Sequence, residues 1–427
     1  MQPTIPNFRL LLVCALAASV GLPIGIVSLA KLTLFIGTLI LLVCRSQPVL
    51  TVDTINASRH LTFLLIFGSL LLFAASLSWT SGSQREGLNS VSKYGKLLII
   101  PIFGVLIQSR REALYALAGF AATQLFLISS SWLLFLKVPV PWALSPSSIS
   151  QNVVFSSYLD EGLMSVVFAA VSWNLRALVP GKHGSRWAAA ASLLAMGHVL
   201  FLLQGRSAHV VAVVLLTFVI TRQLPRRLRI AAVAVPFLLV TVLYLSSAKV
   251  QTRLDSLKSE VQTFSFEKGA DGNTGSSSGI RLHFWRRAMQ SISEHPAAGS
   301  GAGSWSNEFN RLETVGNPAH GNIKPLGNPH QEYLLWGVQL GVPGVVLLVA
   351  LMLSIYKDTR AMETQTARAA QSALLALAVA CLFNSSLYDA QIGDFFCVIL
   401  GLLLALGLHP QNSRNVTAQP LRTNSPA

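Results

Sequence analysis

Long apolar runs, repeated from one end of the chain to the other, constrain this sequence more than any other feature. Many of them reach the roughly 17–25 residues that cross the hydrocarbon core of a bilayer. Only 11% of the 427 residues are charged and the mean hydropathy is +0.55, whereas soluble domains carry about 25% charged residues. The chain is therefore predicted to be an all-α polytopic membrane protein.

The apolar runs divide into about twelve predicted transmembrane helices, each close to the length that spans a bilayer. The first run is interpreted as a retained span rather than a cleaved signal peptide, because apolar sequence resumes directly after Pro23. The predicted spans lie near residues 8–22, 25–44, 61–79, 95–109, 113–136, 156–176, 187–204, 208–221, 230–247, 332–355, 370–388 and 393–408.

Lysine and arginine are unevenly distributed over the loops that join these spans. The formal net charge of +15 would also suit a nucleic-acid-binding protein, but the cytoplasmic loops of membrane proteins collect Lys and Arg. If both termini lie inside, the short inner loops hold most of the basic residues, and the short outer loops hold only Arg85, Lys93, Lys96, Lys137 and Arg206. We therefore predict cytoplasmic termini and no nucleic-acid partner.

This orientation divides the chain into four predicted regions. Spans 1 to 9 occupy residues 1–247, an extracytoplasmic loop domain occupies 248–331, spans 10 to 12 occupy 332–408, and a disordered cytoplasmic tail occupies 409–427. The loop is too small for an independent enzyme, so we expect it to pack on the bundle as a lid or a side wall.

Within the loop, the spacing of apolar residues predicts two amphipathic helices, over 251–264 and 279–294. The second is expected to stop before Pro296, because the residue before a proline is driven out of the helical conformation. The glycine-rich run at 299–304 is predicted to be a flexible turn.

Two arginines stand near the expected outer edge of the membrane. Arg206 lies in a short hinge between two apolar runs, and an arginine at bilayer depth costs about 2.5–3.5 kcal/mol on insertion scales. Arg281 lies in the first turn of the helix predicted over 279–294, where a cation is disfavoured unless an anion is shared with the free N–H groups. The alternatives are snorkelling of Arg206 to the headgroups and an exposed Arg281 on a basic helix.

His330 opens the tenth predicted span at the same edge. A neutral imidazole there would act as a general base near neutral pH, whereas the simpler interpretation is a helix cap. Glu332, Tyr333 and Arg287 are weaker candidates for supporting residues, chosen by proximity.

A metal site is not predicted. The loop histidines His295, His320 and His330 have no carboxylate or thiolate partner at the spacing typical of metal ligands. No cofactor is expected either.

One histidine and two arginines are thus expected on the outer face of a lipid-embedded bundle. Arginine forks match phosphate oxygens, and a lipid-linked diphosphate would supply the anion. The chemistry that these residues favour is displacement at a sugar carbon with a diphosphate leaving group, whose developing charge the protein cations would stabilise.

These residues resemble the O-antigen ligases of Gram-negative bacteria, within the wider superfamily of O-antigen ligases and polymerases. The most specific match is His330-Gln331, followed after nine residues by Gly341-Val342-Pro343-Gly344. Gly205-Arg206-Ser207 at the end of a span, Arg281 followed by Trp285, and the long loop before the third-last span strengthen the resemblance.

The resemblance implies a GT-C-like helical glycosyltransferase of the bacterial inner membrane, with its site at the periplasmic face. The donor would be a polysaccharide on undecaprenyl diphosphate and the acceptor a sugar hydroxyl of lipid A-core. Transfer would invert the anomeric centre without a metal. Carried over, His330 would be the catalytic base, and Arg206 and Arg281 would bind the donor diphosphate.

Three other functions stay open at this point. An O-antigen or exopolysaccharide polymerase and a protein O-oligosaccharyltransferase share the motif. A polysaccharide or lipid transporter belongs to another class and would hold charges at the bilayer midplane, where this chain has little more than Lys31 and His198.

Overall fold

α-Helices form almost all of the regular structure in the computed structural model. It describes residues 5–44, 57–143, 145–229, 234–246, 251–252, 255, 258–259, 262, 277–316 and 327–410, and no β-strand occurs among them. Up to the loop domain, the helices are α1 (Ile5–Ser19), α2 (Ile24–Val43), α3 (Ala57–Ala75), α4 (Gln84–Tyr94), α5 (Ile99–Leu106), α6 (Arg110–Phe135), α7 (Pro146–Ser150), α8 (Tyr158–Leu175), α9 (Gly184–Gly197), α10 (Arg206–Gln223) and α11 (Ala234–Ser246). The rest are α12 (Ser277–Glu294), α13 (Trp305–Gly316), α14 (Glu332–Thr359), α15 (Thr364–Ala380) and α16 (Ala390–Leu408).

The prediction of a polytopic all-α membrane protein is confirmed. Among the described residues, seven helical segments are long and apolar enough to cross a membrane: Ile24–Val43, Leu61–Trp79, Arg110–Phe135, Gly184–Leu202, Arg206–Gln223, Glu332–Thr359 and Ala390–Leu408. The other five predicted spans overlap helices that are shorter or more polar, namely α1, α5, α8, α11 and α15. Twelve crossings therefore stay a prediction.

α16 is the central helix of the bundle. Every residue from Ile392 to Leu406 is buried, which agrees with its being apolar on all sides. It packs against α5, α6 and α15. At the contact with α5, Gly401 leaves room for Phe103, whose ring lies 3.1 Å from the position that a Cβ would take.

The two ends of the described chain meet at one end of the bundle. Arg9 in α1 donates to the carbonyl of Leu106 (2.7 Å), and His409, just after α16, contacts the carbonyl of Ile107 (3.1 Å). Glu363, before α15, pairs with Arg110 at 2.9 Å. We call this the basal end, and the end where α14 begins the site end.

Two short amphipathic helices at the site end were not predicted. α4 begins with a capping box, in which Ser83 accepts from the N–H of Glu86 and the Glu86 carboxylate accepts from the N–H of Ser83. α13 packs against α12 through Phe309, whose ring lies 5.0 Å from that of Phe284. The predicted helix 279–294 is confirmed as α12, with Phe284 and Ala288 buried on its apolar face.

α14 is broken at Gly341, where the backbone takes φ 71° and ψ −162°. The residues 295–304, which we call the glycine turn, bind to the break. The N–H of Val342 donates to the carbonyl of Pro296 (2.8 Å), and the N–H groups of Ser300 and Gly301 donate to carbonyls of α14. Backbone groups that the break frees are paired in this way.

The glycine turn is close-packed and not the flexible turn that we predicted. Gly299, Gly301 and Gly303 all have positive φ, which glycine adopts without steric cost. A Cβ on Gly299 would lie 2.5 Å from the backbone of α14, and one on Gly303 would lie 2.5 Å from the backbone of α4. Most of the predicted helix 251–264, and the predicted tail from residue 411, lie outside the described residues.

Candidate active site

The first residue of α10 is Arg206, at the site end of the bundle. Gly205 before it packs closely on the start of α8, where the carbonyl of Tyr158 lies 3.5 Å from the position of a Cβ. The Arg206 guanidinium donates to the Ser278 hydroxyl (3.1 Å) in the first turn of α12. The start of α10 is thereby linked to the helix that carries Arg281.

Arg281 lies one turn further along α12 and is half-buried. Burial lowers the pKa of Arg281, Tyr158 raises it, and the charge of Arg206 lowers it again. The two arginines are therefore near enough to repel each other. Within the described part of the chain, no carboxylate lies within salt-bridge distance of Arg281, so its charge is available to an anion that is not part of the protein.

His330 has an unusual backbone conformation just before α14. Its φ is 54°, in the left-handed region that a residue with a Cβ seldom occupies. The conformation is held by Asn328, whose Oδ1 accepts from the His330 N–H (2.9 Å). Gln331 caps α14 through Oε1, which accepts from the N–H of Leu334 (2.7 Å).

The imidazole of His330 lies against α12. It stacks on the Phe284 ring, with centroids 6.4 Å apart and planes at 18°. Burial lowers the pKa of His330, the charge of Arg281 lowers it further, and a hydrogen bond with Asn384 raises it in part. The ring is consequently neutral near neutral pH and able to accept a proton.

The structure thus brings Arg206, Arg281 and His330 together around the first turns of α12. Arg281 is electrostatically coupled to each of the other two. A pair of cations beside a neutral base is an arrangement that can bind a dianionic group and deprotonate a hydroxyl next to it.

Two further polar residues support His330 and were not among the predicted site residues. Asn384, after α15, lies close enough to His330 and Asp389 to shift the pKa of both side chains. Asp389 in turn accepts from the Asn328 side chain (3.3 Å). The only signal in the sequence is that Asn384 and Asp389 are polar residues between two apolar runs, and many such loop residues have no function.

The three weaker candidates, Glu332, Tyr333 and Arg287, are bound to structural partners outside this group. Glu332 is fully buried and accepts from Tyr94 (3.0 Å), Trp336 (3.0 Å) and the N–H groups of Leu387 (2.9 Å) and Tyr388 (3.1 Å). Its carboxylate therefore joins α4, α14 and the segment before α16, and four donors occupy it.

Tyr333 and Arg287 also have structural partners. The Tyr333 hydroxyl donates to the carbonyl of Ala378 in α15 (3.0 Å). Arg287 donates to Glu313 of α13 (2.5 Å), as does His283 (2.6 Å). Burial raises the pKa of Glu313, but these two hydrogen bonds and charges lower it to about 2 overall.

A buried polar cluster includes Glu161, in the first turn of α8. Glu161 of α8 accepts from Ser131 of α6, and His198 lies 3.6 Å from the same oxygen and 3.1 Å from the Ser165 hydroxyl. His198 begins a π-helical turn that leads to Gly205. The cluster joins α6, α8 and the π-helical turn that leads from α9 to α10.

The other charge singled out within a span, Lys31, forms an ion pair with Asp394 of α16, at 2.6 Å. No group of three or more His, Cys, Asp or Glu side chains suited to a metal ion occurs in the ranges that the structure describes.

Residues 191–349 match a family model, Wzy_C, described as O-Antigen ligase. The matched region contains Arg206, Arg281 and His330, as well as Gly341 and Gly344. No curated protein matches the chain. The family match agrees with the motif His330-Gln331 and with the glycines at the break of α14, and it supports a relationship of residues 191–349 to the superfamily of O-antigen ligases and polymerases.

Proposed function

We propose that the chain is an O-antigen ligase, a glycosyltransferase of the bacterial inner membrane. It would transfer O-antigen polysaccharide from undecaprenyl diphosphate to a sugar hydroxyl of lipid A-core. The observation that carries the proposal is the convergence of Arg206, Arg281 and His330 at one end of the bundle, within the region that matches the family model.

The two arginines would bind the donor diphosphate. Guanidinium forks pair with phosphate oxygens in two parallel hydrogen bonds. Arg281 has no carboxylate within salt-bridge distance among the described residues, so a bound diphosphate would relieve its repulsion from Arg206. The same cations stabilise the negative charge that grows on the diphosphate as it leaves.

His330 would take the proton of the acceptor. The acceptor oxygen forms a bond to the anomeric carbon, while the bond from that carbon to the phosphate oxygen breaks. The hydroxyl proton passes to the neutral imidazole, and undecaprenyl diphosphate leaves with the electron pair. Attack opposite the leaving group inverts the anomeric centre. A positioned general base contributes typically about 10²–10⁴-fold to such a rate.

The arrangement in the membrane follows from charge. The basal end carries Arg110, Arg222 and Arg368, so the positive-inside rule assigns it to the cytoplasm, together with both termini. The site end would then face the periplasm, where a GT-C-like enzyme meets lipid-borne donor and acceptor.

The proposal is tested in a strain whose own ligase gene is deleted. Complementation with this chain should restore polymer on lipid A-core, seen as a ladder on a lipopolysaccharide gel. His330→Ala should leave core without polymer and let lipid-linked chains accumulate. His295→Ala, at an exposed histidine of the same segment, should complement fully.

Other outcomes would assign another function. If loss of the native gene leaves core capped with a single repeat, the chain is a polymerase; if a pilin-like protein loses its glycan, the chain is a protein O-oligosaccharyltransferase. Accumulation of donor on the cytoplasmic side only would indicate a transporter.

Metal independence has its own test. The purified chain should transfer polymer at an undiminished rate in excess EDTA, because the two arginines carry the charge of the leaving group. A strict requirement for a divalent cation would contradict that role.

A further inference from the structure

A lateral crevice opens between α8, α9 and α10, on the basal side of the bundle. Its volume is about 220 Å³, and its walls are apolar side chains apart from Ser192 and Gln223. The Ser192 hydroxyl already donates to the carbonyl of Ala169 (2.7 Å). Leu193, on its edge, is 66% exposed, so the crevice opens toward the lipid and not toward the interior.

The deepest part of the crevice lies about one leaflet from the membrane surface. Trp187, near the start of α9, is 72% exposed, as is typical of tryptophans that mark the membrane–water interface. Met196, which lines the crevice, is nine residues further along the helix, about 14 Å at the usual rise per residue. That depth is about half of a hydrocarbon core of roughly 30 Å, which fits a single acyl chain.

Arg176 lies at the basal rim of the crevice. Arg176 follows α8 directly, and its guanidinium carbon lies 4.4 Å from the ring centroid of Trp173, a wall residue. It also donates to the carbonyl of Trp173 (2.6 Å). No carboxylate of the described residues lies within 4.0 Å of Arg176.

We propose that this crevice is a binding site for an anionic glycerophospholipid. One acyl chain would fill the space along α9, and the phosphate would pair with Arg176 at the rim. A basic rim favours a net negative headgroup over a zwitterionic one, whose ammonium would be repelled. Exposed Lys182 and Arg186 add positive charge at the same level.

The probe is the fluorescence of Trp173 in vesicles that contain lipids with brominated acyl chains, which quench a tryptophan on contact. Subtracting the signal of Trp173→Phe isolates the contribution of this one ring. Brominated phosphatidylglycerol should half-quench it at a mole fraction about fivefold lower than brominated phosphatidylcholine does, which is the effect of one basic residue near anionic lipid.

Two variants separate Arg176 from general surface charge. Arg176→Gln should remove the preference for phosphatidylglycerol, whereas Arg186→Gln, which alters an exposed arginine away from the wall, should keep it. If Arg176→Gln does not fold, the comparison of the two brominated lipids in the unaltered protein still shows whether the crevice prefers an anionic lipid.

Equal half-quenching by the two lipids, or a preference that disappears only with Arg186→Gln, would overturn the proposal. A polyprenyl phosphate that relieves the quenching by both lipids at low mole fraction would also overturn it, and would assign the crevice to an isoprenoid chain. The measurement does not use transferase activity, so its outcome is independent of the proposed function.

Discussion

At His330, different neighbours set the backbone conformation and the charge of the ring. Asn328 holds the backbone at positive φ, a conformation that costs a residue with a Cβ roughly 1–2 kcal/mol. Glycine would adopt it without that cost but has no imidazole. Strain of this kind, at a residue beside the charge of Arg281, is typical of a site where side-chain chemistry outweighs stability.

The pH profile of transfer should report the coupling between Arg281 and His330. The base must be neutral, and burial together with Arg281 holds the pKa of His330 below its ordinary value. Arg281→Gln removes the charge and leaves the burial, so the pKa should rise and the rate at saturating donor should begin to fall at a higher pH on the acid side.

Exposed Arg286 on the same helix provides the control, because Arg286→Gln should leave the acid side of the profile in place. If Arg281→Gln also leaves it in place while weakening donor use, Arg281 acts on the diphosphate alone.

At the scale of the helices, the motif residues have separate structural roles. Gln331 caps α14, Gly341 breaks it, and Gly344 lies where a Cβ would be 2.6 Å from the carbonyl of Trp336. The sequence predicted the motif and a span over 332–355, and that predicted span runs through Gly341 without a break. The break could not be predicted, because the backbone groups that it leaves free are hydrogen-bonded by the glycine turn, which is remote in sequence.

α4 and α13 were missed for a related reason. Each of these helices is polar on one side and apolar on the other, and its apolar side is buried against another segment. For α4 that segment is more than 200 residues away in sequence, since Gly87 packs beside Ala302. The apolar periodicity of α12 was long enough to be recognised without such partners. Local spacing therefore predicted the long elements, and the motif selected the three proposed site residues, but neither predicted the contacts that bring those residues together.

Substitutions in the glycine turn should destabilise the fold by more than the cost of a positive φ alone. Gly181 has φ +96° and open space around it, whereas Gly301 has φ +88° and faces the backbone of Thr80. Gly181→Ala should cost only the conformational strain, roughly 1–2 kcal/mol. Gly301→Ala should cost more, since a backbone must move.

Unfolding temperatures of the two alanine variants in detergent check this, with Gly301→Ala expected to lie clearly lower. Equal decreases would mean that the turn is not held against Thr80 in solution.

At the scale of the whole molecule, the sequence predicted a polytopic bundle from composition alone, because apolar length is a local property. The number of crossings was harder to predict, because a helix as short as α5 can cross a bilayer only together with the segments next to it. Both ends of the described chain lie at the basal end, which agrees with an even number of crossings.

Orientation can be measured directly. In a chain whose four cysteines are replaced by alanine, Ser293→Cys on α12 and Gln365→Cys on α15 introduce exposed thiols at the site end and the basal end. In intact cells with a permeable outer membrane, an impermeant thiol reagent should label position 293 and not position 365. Labelling of position 365 alone would invert the topology and remove the site from the periplasm.

The supports of His330 come from a segment that is made more than 50 residues after it. Asn384 and Asp389 follow α15, and the carboxylate of Glu332 closes on Leu387 and Tyr388. A chain still emerging from the ribosome therefore already has both arginines but no aligned base. With the roles proposed above, a partial product would bind a lipid-linked donor without transferring it until the segment after α15 is in place.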